Sequence, residues 1–390
     1  MIYASEHTAG TGTLDTVTVI GTGLIGTSIG LALTRRGVRV HLRDVHAESV
    51  RIAEAMGAGT ALAPARQTDL AVIAVPPHGV TAALADAQRQ RIAVHFTDVA
   101  SVKASLSAPG TGAGAGAGWD TSRFVGGHPI AGREHPGPGA ARADLFHGKP
   151  WILTPTADTS PATTGAAREM VGMCGADAVT MDAEAHDRAI AMTSHLPHLV
   201  ASLTARMLHS YDQRALGLSG SGLRDLTRIA AGDPDLWTDI IGSNAAALLE
   251  ALESLQGDLE ITRRALGVLA GTMQDGSGRE AAYRELLRRL LAEGRSGQSL
   301  IPQKYGAQGR VYEKLRVPLT DREGELARLL ADVSECGVNV EDLWIEESAD
   351  SPTGLAVLLI DGKVTEELAR WLENRGRSVL RQTPAGAGTV

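Results

Sequence analysis

The chain has 390 residues, 43% of them hydrophobic and 21% charged, enough to build two or three packed domains. A formal net charge of −8 gives no basic field for nucleic acid or anionic lipid. Two cysteines, Cys174 and Cys336, lie far apart, which argues against a disulfide framework or a cysteine-rich metal site. Met1 to Thr13 carries no basic stretch followed by an apolar one, and the apolar runs are strand-sized. The expectation is a soluble cytoplasmic protein with no metal and no membrane partner.

From Thr16 to about Pro155, short β-branched runs alternate with helical patterns. Val17–Ile20, Val38–Arg43, Leu70–Val75 and Ile92–Thr97 read as strands. Leu24–Arg36 and Ala47–Met56 read as helices, with Gly37 and Gly57 as their C-terminal caps. Such alternation predicts an α/β fold, a parallel sheet covered on both faces. Pro109 to Gly118 is almost entirely Gly and Ala and reads as a surface loop without function.

From Pro161 to Leu291 the strand signal disappears, and Ala185–His209, Asp235–Leu266 and Arg279–Leu291 read as long helices. Their apolar faces need a partner surface, which a second subunit would supply. Gly294 to Gly309 reads as a connector, and from Tyr312 the order is βαββαβ, the ferredoxin-like motif. Its last strand is Ser378–Leu380. The expected domains are therefore a Rossmann-type dinucleotide-binding domain at 14–160, an all-α substrate and dimerisation domain at 161–293, a linker at 294–310, and a small α/β domain at 311–382.

Gly21-Thr22-Gly23-Leu24-Ile25-Gly26 follows a strand and opens a helix, the context a dinucleotide-binding turn requires. Gly21 permits the tight turn, Gly23 lets the backbone approach a pyrophosphate, and Gly26 lets helix and strand pack closely. Asp44, ending the second strand, is placed to bind the adenosine ribose hydroxyls and repel a 2′-phosphate, favouring NAD; Arg43 beside it would instead suit NADP. Val75, Pro76 and Pro77 end the third strand, where ligands bind in such sheets, although a plain strand-terminating turn fits equally well.

Further along come Asp98–Lys103, then Gly127-His128-Pro129-Ile130-Ala131-Gly132 and Glu134, then Thr193-Ser194-His195-Leu196-Pro197-His198. Arg224-Asp225-Leu226-Thr227-Arg228-Ile229-Ala230, Trp237 and Asn244 follow. Taken with Gly21–Ser28 and Ala74–Pro77, this order resembles the prephenate dehydrogenase family of tyrosine biosynthesis over about residues 16 to 290. The resemblance implies an enzyme that converts prephenate and NAD to 4-hydroxyphenylpyruvate, CO2 and NADH.

On that match His128 is the hydrogen-bond acceptor for the substrate hydroxyl, and Ser101 orients His128 or the hydroxyl. Arg228 pairs with a substrate carboxylate, where a guanidinium fork fits. His195 and His198, three apart, both face the site unless Pro197 interrupts the turn. Glu134 and Trp237 are pocket residues. A surface i, i+4 pattern is the bland reading of Arg224, Asp225 and Arg228.

The last segment resembles an ACT domain, with Glu323 where many members have Pro; it implies either a tyrosine-binding regulatory module or a dimer-forming structural one. Arogenate as substrate, a β-hydroxyacid dehydrogenase, and a non-catalytic nucleotide- or amino-acid-responsive regulator are the competing readings.

Overall fold

A computed structural model of the chain describes residues 14–107, 118–133, 135–273, 279–301, 312–320, 322–346 and 353–380. The chain divides into two compact units, Met1–Gln298 and Ser299–Val390.

In the first unit, β1 (Thr16–Ile20), β2 (Arg39–Arg43), β3 (Thr68–Ile73), β4 (Ala93–Asp98), β5 (Phe124–Pro129), β6 (Pro150–Thr154) and β7 (Asp177–Thr180) make one sheet. Its order is β2-β1-β3-β4-β5-β6-β7, and only the β5–β6 pair is antiparallel. Helices α1 (Leu24–Thr34), α2 (Ala47–Ala55), α3 (Val80–Arg89), the single turn α4 (Ala104–Ser107) and α5 (Pro161–Met173) connect the strands.

Strand β3 explains the layering. Leu70 and Val72 enter one core with Ile29 and Leu33 of α1, whereas Ala71 and Ile73 enter a second with Val80 and Leu84 of α3. All four are fully buried, so the strand reads as one continuous apolar run instead of an alternation. The chain places β2 on one side of β1 and β3 on the other, so a crevice opens at the carboxyl ends of β1 and β3.

Two sequence expectations are corrected here. The sheet does not stop at residue 160: β7 adds a seventh strand, parallel to β6, so the sheet architecture continues to Thr180. Only four residues long, half-exposed and at an edge, it carries no apolar run to reveal it. The expected parallel sheet is also interrupted, since β6 returns antiparallel to β5.

Helices follow from α6 (Ala183–Ile190), through a π-helical turn (Ala191–His195), to α7 (Leu196–Met207), α8 (Gln213–Leu216) and α9 (Ser221–Thr227). A 3-10 turn, Arg228–Ala231, leads to α10 (Pro234–Ser243), α11 (Ala245–Leu269) and α12 (Glu280–Ser299). The long helix expected from Ala185 runs on without a break through α6, the π turn and α7, with the π turn shifting its register and Pro197 accommodated in the first turn of α7. The next is broken at Asn244. The connector expected at 294 is helical to Ser299, because two glycines cost only about 1 kcal/mol each in a helix already four turns long. Among the described residues no helix is long and apolar enough to cross a membrane.

The second unit contains β8 (Tyr312–Thr320), α13 (Glu325–Glu335), β9 (Asp342–Glu346), β10 (Thr353–Asp361) and α14 (Thr365–Asn374). The sheet order is β8-β10-β9, all antiparallel. Leu315, Val317 and Leu319 alternate along β8 and meet Leu329 and Val333 of α13 and Leu368 and Leu372 of α14 in one core. The expected last strand shrinks to a single bridge, Leu380 to Arg316 on β8.

Candidate active site

The glycine turn sits where β1 hands over to α1. Gly21 has φ +103°, and a Cβ there would fall on the Ala74 carbonyl; a Cβ at Gly26 would strike the Gly21 carbonyl. These two glycines are therefore required by the fold itself. Gly23 differs: nothing lies within 4 Å of the position its Cβ would take. The chain leaves open space at that glycine, beside the N-terminus of α1, as a cradle for a pyrophosphate does. Leu24 and Ile25 pack partly buried against the first core. The Val75-Pro76-Pro77 turn emerges alongside, with Pro77 opening a 3-10 turn.

Asp44 is tied to this turn. Its Oδ2 accepts hydrogen bonds from Thr22 N at 2.6 Å and Thr22 Oγ1 at 3.0 Å, and its Oδ1 accepts from His46 N at 2.9 Å. Burial pushes the carboxyl up, but these hydrogen bonds outweigh it and hold Asp44 below its usual range. Arg43 turns to the end of α3, both terminal nitrogens lying 3.3 Å from Gln90 Oε1.

His128 lies at the carboxyl end of β5. Beneath it, the fully buried Lys103 ammonium pairs with Asp98 and donates to Gly127 O at 2.9 Å. Asp98 in turn accepts from Ala100 N and Gly127 N, each at 2.9 Å, which locks the ends of β4 and β5 together. Burial, then the neighbouring His186, Lys103 and His195, push the His128 imidazole well below the usual histidine range. The shift favours the neutral form of the ring near pH 7. Ser101 Oγ is buried and makes no hydrogen bond among the described residues. Of the two expected roles for Ser101, a hydrogen bond to His128 is not made among the described residues, which leaves the substrate hydroxyl; His128 Nδ1 lies 2.9 Å from His186 Nε2.

Across from it, the π turn buries His195, whose Nδ1 is 3.1 Å from Asn244 Nδ2. His198, one turn on, stacks on Trp237 with centroids 3.5 Å apart and planes 11° apart. Pro197 therefore does not separate the two histidines, since Trp237 touches both, His195 edge-on at 6.2 Å. Burial is the leading cause that lowers both imidazoles. Gly232 fits against this stack, and a Cβ there would press on Trp237 and His198. Arg228 is exposed on the 3-10 turn just before it. Glu134 lies outside the described residues.

Sequence reasoning missed His186 and Asp187, and gave no role to Asn244 or Thr22. The signal was present: on α6 both His186 and Asp187 fall on the buried face with Ala183, at positions three and four residues on. Polar residues where helical periodicity places the core need partners, and that need marks a site.

Residues 29–180 match the family model described as the nucleotide-binding domain of prephenate dehydrogenase, and 182–271 match its dimerization domain. The chain is 39% identical over 364 residues to the probable prephenate dehydrogenase NovF of Streptomyces niveus, covering 93% of this chain and 98% of that one. It is 34% identical to the cyclohexadienyl dehydrogenase of Zymomonas mobilis over 265 residues, 64% of this chain and 88% of that one. Among solved structures, prephenate dehydrogenase from A. aeolicus with hydroxyphenyl propionate and NAD+ aligns at 26% identity, TM-score 0.60, over 73% of this chain and 99% of that one. Synechocystis arogenate dehydrogenase aligns at 25%, TM-score 0.59, over 73% and 100%. The chain belongs to the prephenate dehydrogenase family.

Proposed function

We propose that this member of the prephenate dehydrogenase family catalyses the NAD+-dependent oxidative decarboxylation of prephenate to 4-hydroxyphenylpyruvate, CO2 and NADH. The observation that carries this reading is His128, a half-buried imidazole held below the usual histidine range at the carboxyl end of strand β5, in the sheet that bears the glycine turn. Bound at Gly21–Gly26 with its ribose on Asp44, NAD+ supplies the hydride acceptor.

His128 accepts the proton of the ring hydroxyl as that carbon gives up its hydride. The ring carboxylate then leaves as CO2, and its electron pair aromatises the ring and reaches the former hydroxyl oxygen. That oxygen takes the proton back from His128, so the enzyme releases none. Ser101 Oγ, buried and unpartnered, is suited to hydrogen-bond the hydroxyl oxygen. Arg228 serves a substrate carboxylate, and the His198–Trp237 stack offers a flat wall to the ring. Exposed Leu249, Leu259 and Leu266 on α11 suit a homodimer contact. The second unit, with both helices on one face of its sheet, suits an ACT-like module with tyrosine as effector.

Arogenate is the second reading, favoured by the likeness to an arogenate dehydrogenase structure. Following NADH formation spectrophotometrically with prephenate and with arogenate decides between them. No NADH from either would overturn the enzyme reading.

A further inference from the structure

The buried pair on α6 has no part in the reading above. Asp187 is 4% exposed and His186 1% exposed, so each must be satisfied inside the protein. Asp187 Oδ1 accepts from Lys103 N at 2.8 Å and Oδ2 accepts from Ala104 N at 2.8 Å, the two amides that begin α4. The Asp187 carbonyl accepts from Asn244 Nδ2 at 2.9 Å. The carboxylate is thereby fixed by main-chain donors remote in sequence.

What remains, with each ring carrying a single proton, is a chain of donors and acceptors that runs in one direction. Asp187 Oδ1 lies 2.8 Å from His186 Nδ1, so that nitrogen carries the proton. When that ring carries only this one proton, Nε2 presents a lone pair, and His128 Nδ1, 2.9 Å away, donates to it. His128 is left with its lone pair on Nε2. Without this chain either ring nitrogen would carry the proton, and only one arrangement leaves Nε2 able to accept.

We propose that His186 and Asp187 are positioning residues that set the tautomer of His128, so that Nε2 faces the reaction as the proton acceptor. The inference rests on the reading of His128 as the base. His186, Lys103 and His195 are the protonatable or positive groups that oppose a charge on His128, with Lys103 matched by Asp98 and His186 by Asp187. The arrangement has the logic of an acid orienting a histidine, extended by one imidazole.

The test uses the full chain with NAD+ and its aromatic-precursor substrate, and compares His186→Met with His186→Gln. Methionine fills the space without an acceptor, whereas the glutamine amide oxygen is able to accept from His128 Nδ1. We expect His186→Met to lower kcat by about 10²-fold or more with little change in KM, the scale of acid–base catalysis. His186→Gln should recover much of that loss, which a purely structural role would not produce. Nitrogen-15 NMR of the wild-type protein should show His128 protonated at Nδ1 alone, and this readout stands even if a variant fails to fold.

An unchanged kcat in His186→Met, equal losses in both variants, or a wild-type His128 protonated at Nε2 would each overturn the proposal. His128→Asn, measured in parallel, separates the two readings. If it lowers kcat while His186→Met does not, only the relay fails. If His128→Asn keeps kcat, the base assignment fails and the relay with it.

Discussion

Thr22 N donates to Asp44 Oδ2 at 2.6 Å, so the carboxylate proposed to bind the ribose also closes the glycine turn. Because hydrogen bonds hold it below the usual range, Asp44 stays charged throughout the neutral region and opposes a 2′-phosphate. NAD+ should therefore support a much higher kcat/KM than NADP+. Asp44→Asn should narrow that preference by about tenfold or more, a change of ~1.4 kcal/mol. Equal values in the wild type would mean that Arg43 leaves Gln90 to meet the phosphate.

His128→Ala should lower kcat by about 10²–10⁴-fold and leave KM nearly unchanged, since a proton acceptor acts in the transition state. Arg228→Ala should do the reverse, raising KM chiefly. A His128→Ala enzyme with wild-type kcat would remove the base from the mechanism.

The pH dependence has a defined sign. His128, His195 and His198 are all lowered from 6.5, chiefly by burial, so the folded state refuses protons that the unfolded chain binds. Stability is then full above pH 6.5 and declines as the pH falls from there toward the lower folded values. The acid limb of kcat/KM, set by His128, should likewise begin below 6.5. Thermal unfolding and initial rates across that range check both; an acid limb above 6.5 would contradict the neutral base.

What the sequence revealed follows from how each part is buried. Strand β3 is covered on both faces and its apolar run is unmistakable, and the glycine turn is local, so both were legible. Strand β7, with Asp177 and Thr180 on an open edge, had no such signal. The relay was hidden for a different reason. The partners of Asp187 lie 84 residues earlier, at Lys103 N, and no local pattern announces a main-chain donor at that distance. The Ser101–His128 contact came from likeness alone, and the geometry puts His186 in that place.

Lys103 and Asp98 form an ion pair with both side chains wholly buried. Lys103→Met leaves a carboxylate in the interior with only the Ala100 and Gly127 amides to answer it. Removing one partner of such a pair costs about 3–5 kcal/mol, whereas replacing both costs far less. Chemical unfolding should therefore find Lys103→Met much less stable than the Lys103→Met, Asp98→Asn double variant. Equal stabilities would show that the amides alone satisfy Asp98.

Control by tyrosine is the remaining expectation, and the second unit gives it a physical basis. Leu315, Val317, Leu358, Ile360, Leu329, Val333 and Leu368 form a core of its own, separate from the cores of the first unit. A unit with its own core has no need of the sheet that carries His128 to hold its shape. For tyrosine to act from there, it must favour one arrangement of the enzyme over another, and a coupling of about 1–3 kcal/mol suffices. The competing account is occupation of the catalytic pocket by a product-like amino acid, which needs no second unit. Ending the chain after residue 309 separates them, because it removes the whole of β8 to α14 and leaves α12 intact. The regulatory account expects an active enzyme that has lost its inhibition by tyrosine. An active truncated enzyme inhibited as strongly as the full chain would assign tyrosine to the catalytic pocket. Loss of activity together with inhibition would give the second unit a role in assembly, and tyrosine binding to the full chain, measured by calorimetry against a saturating substrate analogue, would then decide: competition places tyrosine in the pocket, and its absence places it in the second unit.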